Sequence, residues 1–277
     1  MSRDGPCYIC ATCGVQYAPT DESPSRCDIC EDERQYVGWS GQQWLTLDDL
    51  RKDHHNEIRD DLGLTGIGTK PAFAIGQRAL LVRSTQGNVL WDCITLIDDA
   101  TVDAVRKLGG VRAIAISHPH YYSSMVEWSL TFDAPVYLNA ADRRWVMRPD
   151  ARIEHWTGDT KSLWDGMTLI RAGGHFEGGT VMHVPSGAEG RGAVLAGDIL
   201  QVAQDRRWVS FMYSYPNYIP LSASEIDRIV ATLETFRFDR IYGAWWDRNV
   251  ASDAEAAVRR SAERYKKALG HAAALKK

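Results

Sequence analysis

Three histidines and one aspartate stand directly after predicted strands, and this placement constrains the fold more than any other feature of the sequence. The apolar run VRAIAIS ends at His118, and His120 follows two residues later. The predicted strand MTLIRAGG leads into His175, and GAVLAG leads into Asp198. Loops that leave strand ends are held by a rigid sheet, and imidazole with carboxylate is a common ligand set for Zn²⁺. The pattern therefore predicts a metal site at the edge of a sheet.

The segments between these residues alternate between predicted strands and helices. AFAIGQRALLVRS and NVLWDCITL predict two strands joined by a turn, and DDATVDAVRKLGG predicts an amphipathic helix with an aspartate cap. ASEIDRIVATLETF and DAEAAVRRSAERYKKALG predict two further helices. Because hairpins are mixed with the alternating elements, the pattern fits a purely parallel, doubly wound sheet poorly.

The order of these groups resembles the metallo-β-lactamase superfamily, whose pattern is a strand with H-x-H-x-D-H, then G-H-x-x-G, then G-D, then a late G-H. The resemblance covers roughly residues 70 to 265. It implies an α+β fold, a four-layer αβ/βα sandwich with metals in a groove at the sheet edges. It also implies that His118, His120 and His175 bind the first metal, and that Asp198 matches the carboxylate that usually bridges two metals.

The sequence departs from the superfamily pattern at the residues for the second metal. Tyr122 replaces the aspartate of H-x-H-x-D-H, and Ser123 replaces the histidine after it. Near the last strand, Gly243 is followed by Ala244 and Trp245 instead of a histidine. Because only Asp198 remains for a second ion, the groove is predicted to hold one Zn²⁺ or Fe²⁺.

A mononuclear hydrolase is the leading hypothesis for function. Zinc held by three histidines lowers the pKa of bound water to about 7 and polarises a carbonyl oxygen. Such a site would hydrolyse an ester, thioester, amide or lactone through a metal-activated water. Asp198 would act as general base if it stays off the metal, and Tyr122 would donate a hydrogen bond to the oxyanion. If Asp198 instead completes a tetrahedral site, all four positions are filled and hydrolysis is disfavoured.

Two alternatives stay open. Two histidines and one carboxylate also suit mononuclear non-haem iron, and the superfamily that the chain resembles includes persulfide dioxygenases of that kind. The loss of second-site ligands also fits a non-catalytic, metal-binding protein that keeps the fold. Iron with oxygen uptake would favour the oxygenase, and fully metallated protein without turnover would favour the binding protein.

Five of the six cysteines precede residue 31. Cys10-x-x-Cys13 and Cys27-x-x-Cys30 form two knuckles, and four thiolates suit a closed tetrahedral Zn²⁺ site with a structural role. The stretch resembles zinc ribbons and also rubredoxin-like modules that hold one iron. Glu31 stands where rubredoxins usually have a glycine, which favours zinc. Cys7 is interpreted as a spare thiol, with a swap for Cys10 as the alternative.

The segment Arg206–Tyr218 is unusually aromatic for a connection. Trp208, Phe211, Tyr213 and Tyr215 are therefore predicted to form the wall of a substrate pocket. The alternative is a structured loop that covers the edge of the sandwich.

Composition limits the partners and the compartment. The net charge of −4 offers no basic field for nucleic acid, so a small-molecule substrate is expected and nucleic acid is not. No apolar run approaches the roughly 20 residues that span a bilayer, and no signal-peptide core precedes the cysteines, which favours a cytoplasmic protein without a membrane partner. No sequence feature indicates an oligomeric state.

Three regions are predicted along the chain. Residues 1–36 form a zinc-ribbon-like module with four cysteine ligands, and residues 37–69 form a polar, helix-compatible connector. Residues 70–277 form the metallo-β-lactamase-like domain.

Overall fold

A seven-stranded sheet forms the centre of the first of two units, Met1–Trp156, and a six-stranded sheet forms the centre of the second, Thr157–Lys277. The structure is a computed structural model that describes residues 5–270. No helix within residues 5–270 is long and apolar enough to cross a membrane.

The first unit combines one large sheet with short helices. Its strands are β1 (Ile9–Cys10), β2 (Trp44–Leu45), β3 (His55–Asp61), β4 (Leu64–Lys70), β5 (Arg78–Val82), β6 (Val89–Trp91), β7 (Ala113–Ala115), β8 (Val136–Asn139) and β9 (Ile153–Trp156). Its helices are α1 (Asp28–Glu31), α2 (Leu47–Asp53), α3 (Asp99–Lys107) and α4 (Met125–Phe132), with 3-10 helices at Pro119–Tyr121 and Ala140–Trp145. The sheet order is β3-β4-β5-β6-β7-β8-β9, and β1 pairs with β2 in a separate two-stranded sheet. Pairing is antiparallel from β3 to β6 and parallel from β6 to β9.

The apolar run before His118 forms a buried central strand. All three residues of β7 are 0% exposed, as expected for a parallel strand covered on both faces. α3 begins as predicted, because the side chain of Asp98 accepts a hydrogen bond of 2.7 Å from the backbone N–H of Thr101. The buried strand thus fixes the position of the backbone from which the loop with the two histidines begins.

The second half of the predicted connector, from His55 onward, is part of the sheet. α2 begins at a capping box on Thr46 but ends at Asp53, and β3 and β4 then form a hairpin that pairs with β5. Leu62 and Gly63 both have positive φ, which is the turn geometry that suits the twist of a two-residue hairpin. Ile67 is 0% exposed in the sheet. Burial against neighbouring strands therefore outweighs the helix-compatible composition of this segment.

The second unit has its own sheet and core. Its strands are β10 (Thr160–Ser162), β11 (Thr168–Arg171), β12 (Thr180–Val184), β13 (Ala193–Gly197), β14 (Gln201–Val202), β15 (Val209–Ser210), β16 (Met212–Ser214), β17 (Ile219–Pro220), β18 (Arg240–Gly243) and β19 (Asn249–Val250). Its helices are α5 (Gly187–Gly190), α6 (Ala223–Leu233) and α7 (Ala254–Ala268). The sheet order is β10-β11-β12-β13-β18-β19, in which β13 and β18 are parallel and the other neighbours are antiparallel. Apolar residues of α6 and α7, such as Ile229 and Val258, share one core cluster with Val194 of β13.

Candidate metal centres

The four cysteines of the two knuckles form one cluster. Cys10, Cys13, Cys27 and Cys30 are all buried, and their sulfur atoms lie within 4.8 Å of one another. Sγ of Cys10 lies 3.6 Å from Sγ of Cys30, and Sγ of Cys13 lies 3.6 Å from Sγ of Cys27. All six cysteines are free thiols. The predicted four-thiolate cluster is confirmed, and Cys7 lies outside it.

Local backbone geometry shapes each knuckle. Gly14 has a φ of +78° and donates a backbone hydrogen bond of 2.8 Å to the carbonyl of Cys10. This is the conformation that favours glycine directly after the first pair of cysteines. In the second knuckle, the N–H of Cys30 donates to the carbonyl of Cys27 at 3.0 Å, so a single helical turn brings the two sulfurs to one side.

The cluster favours a bound cation. Hydrogen bonds, first from Cys13 and then from Cys27 and Cys30, lower the pKa of Cys10. Burial raises the pKa of Cys13 well above its usual range. Negative charges on four sulfurs this close together repel one another unless a cation offsets them. The donor set fits a tetrahedral metal ion with thiolate ligands.

Two side chains outside the knuckles donate hydrogen bonds to these sulfurs. Nε2 of Gln42 lies 3.2 Å from Sγ of Cys10, and the hydroxyl of Tyr17 lies 3.4 Å from Sγ of Cys27. Such outer contacts orient metal ligands and stabilise the thiolate form.

His118 and His120 leave the end of β7 on one tight turn. The 3-10 helix Pro119–Tyr121 begins directly after His118, and the centroids of the two imidazole rings lie 5.1 Å apart. The histidines are 1% and 3% exposed, respectively. Burial keeps competing water away from a metal ion, and a polar partner orients the ligand that binds it.

A chain of hydrogen bonds holds the ring of His118. Oγ of Ser117 lies 2.9 Å from Nδ1 of His118, and the backbone N–H of Ser117 donates to the carboxylate of Asp92 at 2.8 Å. If the hydroxyl of Ser117 accepts from Nδ1–H of His118, Nε2 carries the lone pair for a metal.

Asp92 is the acidic group at the end of this series of hydrogen bonds. Burial raises its pKa from 3.8 to about 7, although hydrogen bonds from Ser117 and the charge of Arg78 act in the opposite direction. Asp92 directly follows β6, the strand that pairs with β7, and this position explains how it reaches Ser117.

His175 is positioned by a glycine-rich loop after β11. The N–H groups of Ala172 and Gly173 both donate to the carbonyl of Gly179 at 2.8 Å, which closes the loop. A side chain at Gly179 would lie 2.6 Å from the carbonyl oxygen of Gly173, so this close approach requires glycine. Nδ1 of His175 lies 2.7 Å from the carbonyl oxygen of Tyr213. Since a carbonyl only accepts, Nδ1 carries the proton and Nε2 is left as the metal-binding atom.

The three histidines form a group that could hold a metal ion. All three are buried. Asp198 follows the last residue of β13 and is 5% exposed. Its service as a further ligand or as a base stays a prediction.

The aromatic side chains of residues 206–218 lie in different environments. Phe211 is 0% exposed and belongs to the core of the second unit, and its place on a pocket wall stays a prediction. Trp208 lies under the guanidinium of Arg264, 3.7 Å from its ring centroid. Tyr213 packs beside the core cluster and offers its carbonyl to His175. The hydroxyl of Tyr215 donates to the carbonyl of Asp198 at 2.8 Å. Substrate contact by Trp208, Tyr213 and Tyr215 stays a prediction.

The residues at the second-metal positions have structural partners. Tyr122 is 2% exposed and lines a small cavity with Val15 and Gln16. The hydroxyl of Ser123 is 3.1 Å from Nε2 of Gln77. The late segment is a turn between β18 and β19, in which the N–H of Gly243 donates to the carbonyl of Arg248 at 2.9 Å.

Sequence reasoning missed the groups that orient the histidines. Asp92 carried a signal, because it stands at a strand end beside the strand that precedes His118. The carbonyl of Tyr213 carried none, since every residue has a backbone carbonyl.

Comparison with solved structures identifies the fold. The metallo-β-lactamase DIM-1 aligns with a TM-score of 0.58 at 14% identity, over 77% of this chain and 98% of its own. The metallo-β-lactamase FIM-1 of Pseudomonas aeruginosa, in a mono-zinc form, aligns with a TM-score of 0.56 at 14% identity, over 76% of this chain and 95% of its own. The chain therefore has the metallo-β-lactamase fold, and the predicted α+β class with a preceding cysteine module is confirmed.

A relative in sequence identifies the family. No protein-family model matches the chain. The uncharacterized protein YmaE of Bacillus subtilis strain 168 is 51% identical over 267 residues, which is 95% of this chain and 97% of that protein. The chain belongs to the same family as YmaE.

Proposed function

We propose that this protein is a mononuclear metal-dependent hydrolase that acts on an ester, thioester, amide or lactone. The observation that carries the proposal is the group of three buried histidines in a chain with the metallo-β-lactamase fold. His118, His120 and His175 would hold the ion, and a bound Zn²⁺ would polarise the carbonyl of the substrate. The hydrogen bonds to Nδ1 of His118 and of His175 support this assignment, because they favour Nε2 as the ligand atom.

Asp198 and Tyr122 are proposed to act on protons. Asp198 would accept a proton from the attacking water, a role that a carboxylate can fill as a general base. The hydrogen bond from Tyr215 to the carbonyl of Asp198 supports this role, since it holds the backbone of the proposed base. Tyr122 would donate a hydrogen bond to the oxyanion.

The loss of the second-metal ligands supports a single groove ion. Neither Tyr122 nor Ser123 is a strong zinc ligand, and both residues are buried. A second dication held by one carboxylate would be opposed by repulsion from the first.

Hydrolysis assays with matched histidine variants test the proposal. A panel of esters, thioesters, amides and lactones is assayed with metal-replete wild-type protein, His118→Ala, His120→Ala and His55→Ala. His55 is an exposed histidine of β3 and serves as the control. We expect background rates for the two groove variants and a wild-type rate for the control.

Metal analysis decides between this proposal and its alternatives. Zinc with hydrolysis that depends on His118 supports the proposal. Iron with oxygen uptake and no hydrolysis would replace it with the oxygenase. If protein with a metal ion bound at the histidines hydrolyses no substrate and takes up no oxygen, a binding function would replace the proposed hydrolase.

A further inference from the structure

Hydrogen bonds connect the segment that carries Cys10 and Cys13 to the end of the loop that carries His118 and His120. We call residues 10–16 the knuckle segment and residues 117–124 the histidine loop. The backbone N–H of Gln16 donates to the carbonyl of Ser123 at 3.0 Å. Gln16 and Ser123 are each 3% exposed, so this bond is shielded from water. A buried backbone pair of this kind is costly to break, because both groups would lose their partners.

Thr95 forms a second connection between the same two segments. Its hydroxyl donates to the carbonyl of Gly14 at 2.9 Å, and its own carbonyl accepts from the hydroxyl of Ser124 at 2.6 Å. Thr95 is 4% exposed. A side chain at Gly14 would lie 2.5 Å from the hydroxyl oxygen of Thr95, so the knuckle segment reaches this residue only because position 14 is glycine.

The side chain of Gln16 extends the contact to the helix that follows the histidine loop. Its Nε2 lies 3.4 Å from the carboxylate of Glu127 in α4, and Arg148 donates to both Gln16 and Glu127. The knuckle segment therefore contacts both the end of the histidine loop and the next element of the chain.

The end of the histidine loop depends on these contacts. Ser123 has a φ of +46°, a backbone conformation that a residue other than glycine keeps only when its surroundings impose it. The surroundings are the N–H of Gln16 on one side and Nε2 of Gln77 on the other. Ser123 is three residues beyond His120, so a change in its backbone is transmitted through one short turn.

We propose that the metal ion of the cysteine cluster positions the histidine loop and thereby sets the affinity of the groove for its own ion. Cys10 and Cys13 hold the knuckle segment in place. This position brings the carbonyl of Gly14 to Thr95 and the N–H of Gln16 to Ser123. Loss of the cluster ion frees these groups, Ser123 relaxes, and His118 and His120 lose their common orientation. Gln16 and Thr95 are positioning residues in this proposal, which rests on the groove site of the proposed function.

The central test removes the Thr95 hydroxyl without changing a metal ligand. Thr95→Val is compared with Thr65→Val, a partly buried threonine of β4 in the same unit, and with Thr95→Ser, which keeps the hydroxyl. Groove affinity for Zn²⁺ is measured by competition with a chromophoric chelator, and the zinc of the cluster is counted by elemental analysis. We expect groove affinity to fall about 10-fold to 100-fold in Thr95→Val, the usual range for losing a group that orients ligands. Thr95→Ser and Thr65→Val should bind like wild type, and all four proteins should retain the cluster ion.

Two further measurements separate positioning from general stability. Hydrogen exchange of the amides at residues 117–124 should accelerate in Thr95→Val, whereas exchange in β12 and β13 should not change. Cys13→Ser should lose the cluster ion and show the same weakening of the groove. Groove affinity within twofold of wild type in both Thr95→Val and a folded Cys13→Ser protein would overturn the proposal.

The outcome is independent of whether the proposed reaction is right. A protein that hydrolyses none of the substrates, but whose groove affinity falls in Thr95→Val and recovers in Thr95→Ser, supports the coupling and contradicts the hydrolase. A hydrolase whose groove affinity does not respond to the cluster ion contradicts the coupling alone. Wild-type protein that binds no ion at the histidines would overturn both.

Discussion

The buried carboxyl of Asp92 shows how one residue affects the stability of the histidine loop. It accepts the N–H of Ser117, whose side chain in turn contacts His118. Burial raises its pKa to about 7, so the folded protein binds a proton at this carboxyl more tightly than the unfolded chain does.

Substitution of Asp92 by Asn should change how stability depends on pH. The folded pKa lies above the ordinary value of 3.8, so the contribution of Asp92 to the unfolding free energy is present below about pH 4 and lost as pH rises through about 7. Asp92→Asn does not titrate. We expect the metal-free variant to gain stability relative to metal-free wild type across this window, by a few kcal/mol. Urea unfolding at several pH values measures the difference, and parallel pH profiles would contradict the assignment.

Tyr122 offers a second test at the level of one residue. Its proposed hydrogen bond to an oxyanion predicts that Tyr122→Phe lowers the hydrolytic rate by about tenfold or more. Burial raises the pKa of Tyr122 well above its usual range, so the hydroxyl keeps its proton as a donor must. Steady-state rates with groove metal content held equal measure the effect. An unchanged rate would leave Tyr122 as a packing residue.

A buried ion pair connects two strands of the seven-stranded sheet. Arg78 of β5 pairs with Asp61 of β3, and their side chains are 1% and 7% exposed. Because β3 and β5 lie on either side of β4, the pair spans the hairpin that replaces the predicted connector.

Removing one member of this pair should destabilise the first unit. Asp61→Ala leaves the guanidinium of Arg78 buried without its carboxylate, which typically costs about 3–5 kcal/mol. The double variant Asp61→Ala/Arg78→Met should lose less, because no unpaired charge remains. Denaturant unfolding of the two variants provides the comparison. Equal losses in both would show that packing, and not charge pairing, is the main contribution.

The cysteine module should depend on its ion more than the sheets do. Cys27→Ser removes one of four ligands and is expected to release one metal ion, since ligand binding supplies most of the folding energy of such a small module. Limited proteolysis should then cleave before about residue 36. The sheet strands beyond residue 70 have their own core and should keep their protection. Retention of the ion in this variant would show that Cys27 is not a ligand.

At the scale of the whole molecule, the count of metal ions is the most direct prediction. We expect two ions per chain, one in the cysteine cluster and one at the histidines. His118→Ala should retain the first and lose the second, and Cys27→Ser should retain the second with weakened affinity. Elemental analysis of protein purified without added metal measures each count. Three ions in wild type, with two of them roughly 3.5–4 Å apart by anomalous scattering, would contradict a mononuclear groove.

Element types were predictable wherever local patterns decided them. The buried strand before His118, the capped helix α3 and the two cysteine knuckles follow from apolar runs, a cap residue and close spacing. Composition misled for residues 55–70, which are polar enough for a surface helix but pair as a hairpin.

The sequence by itself determined which residues can bind metals and where along the chain they stand. Ligand chemistry and strand-end position are local properties, so His118, His120, His175 and the four cysteines were identifiable from the order of residues alone. Only the tertiary structure decided what holds these ligands in place: Asp92 behind Ser117, the carbonyl of Tyr213 behind His175, and Gln16 against Ser123. These partners are distant in sequence, and several are backbone groups that every residue carries. A local pattern does not encode them, because folding alone brings them together.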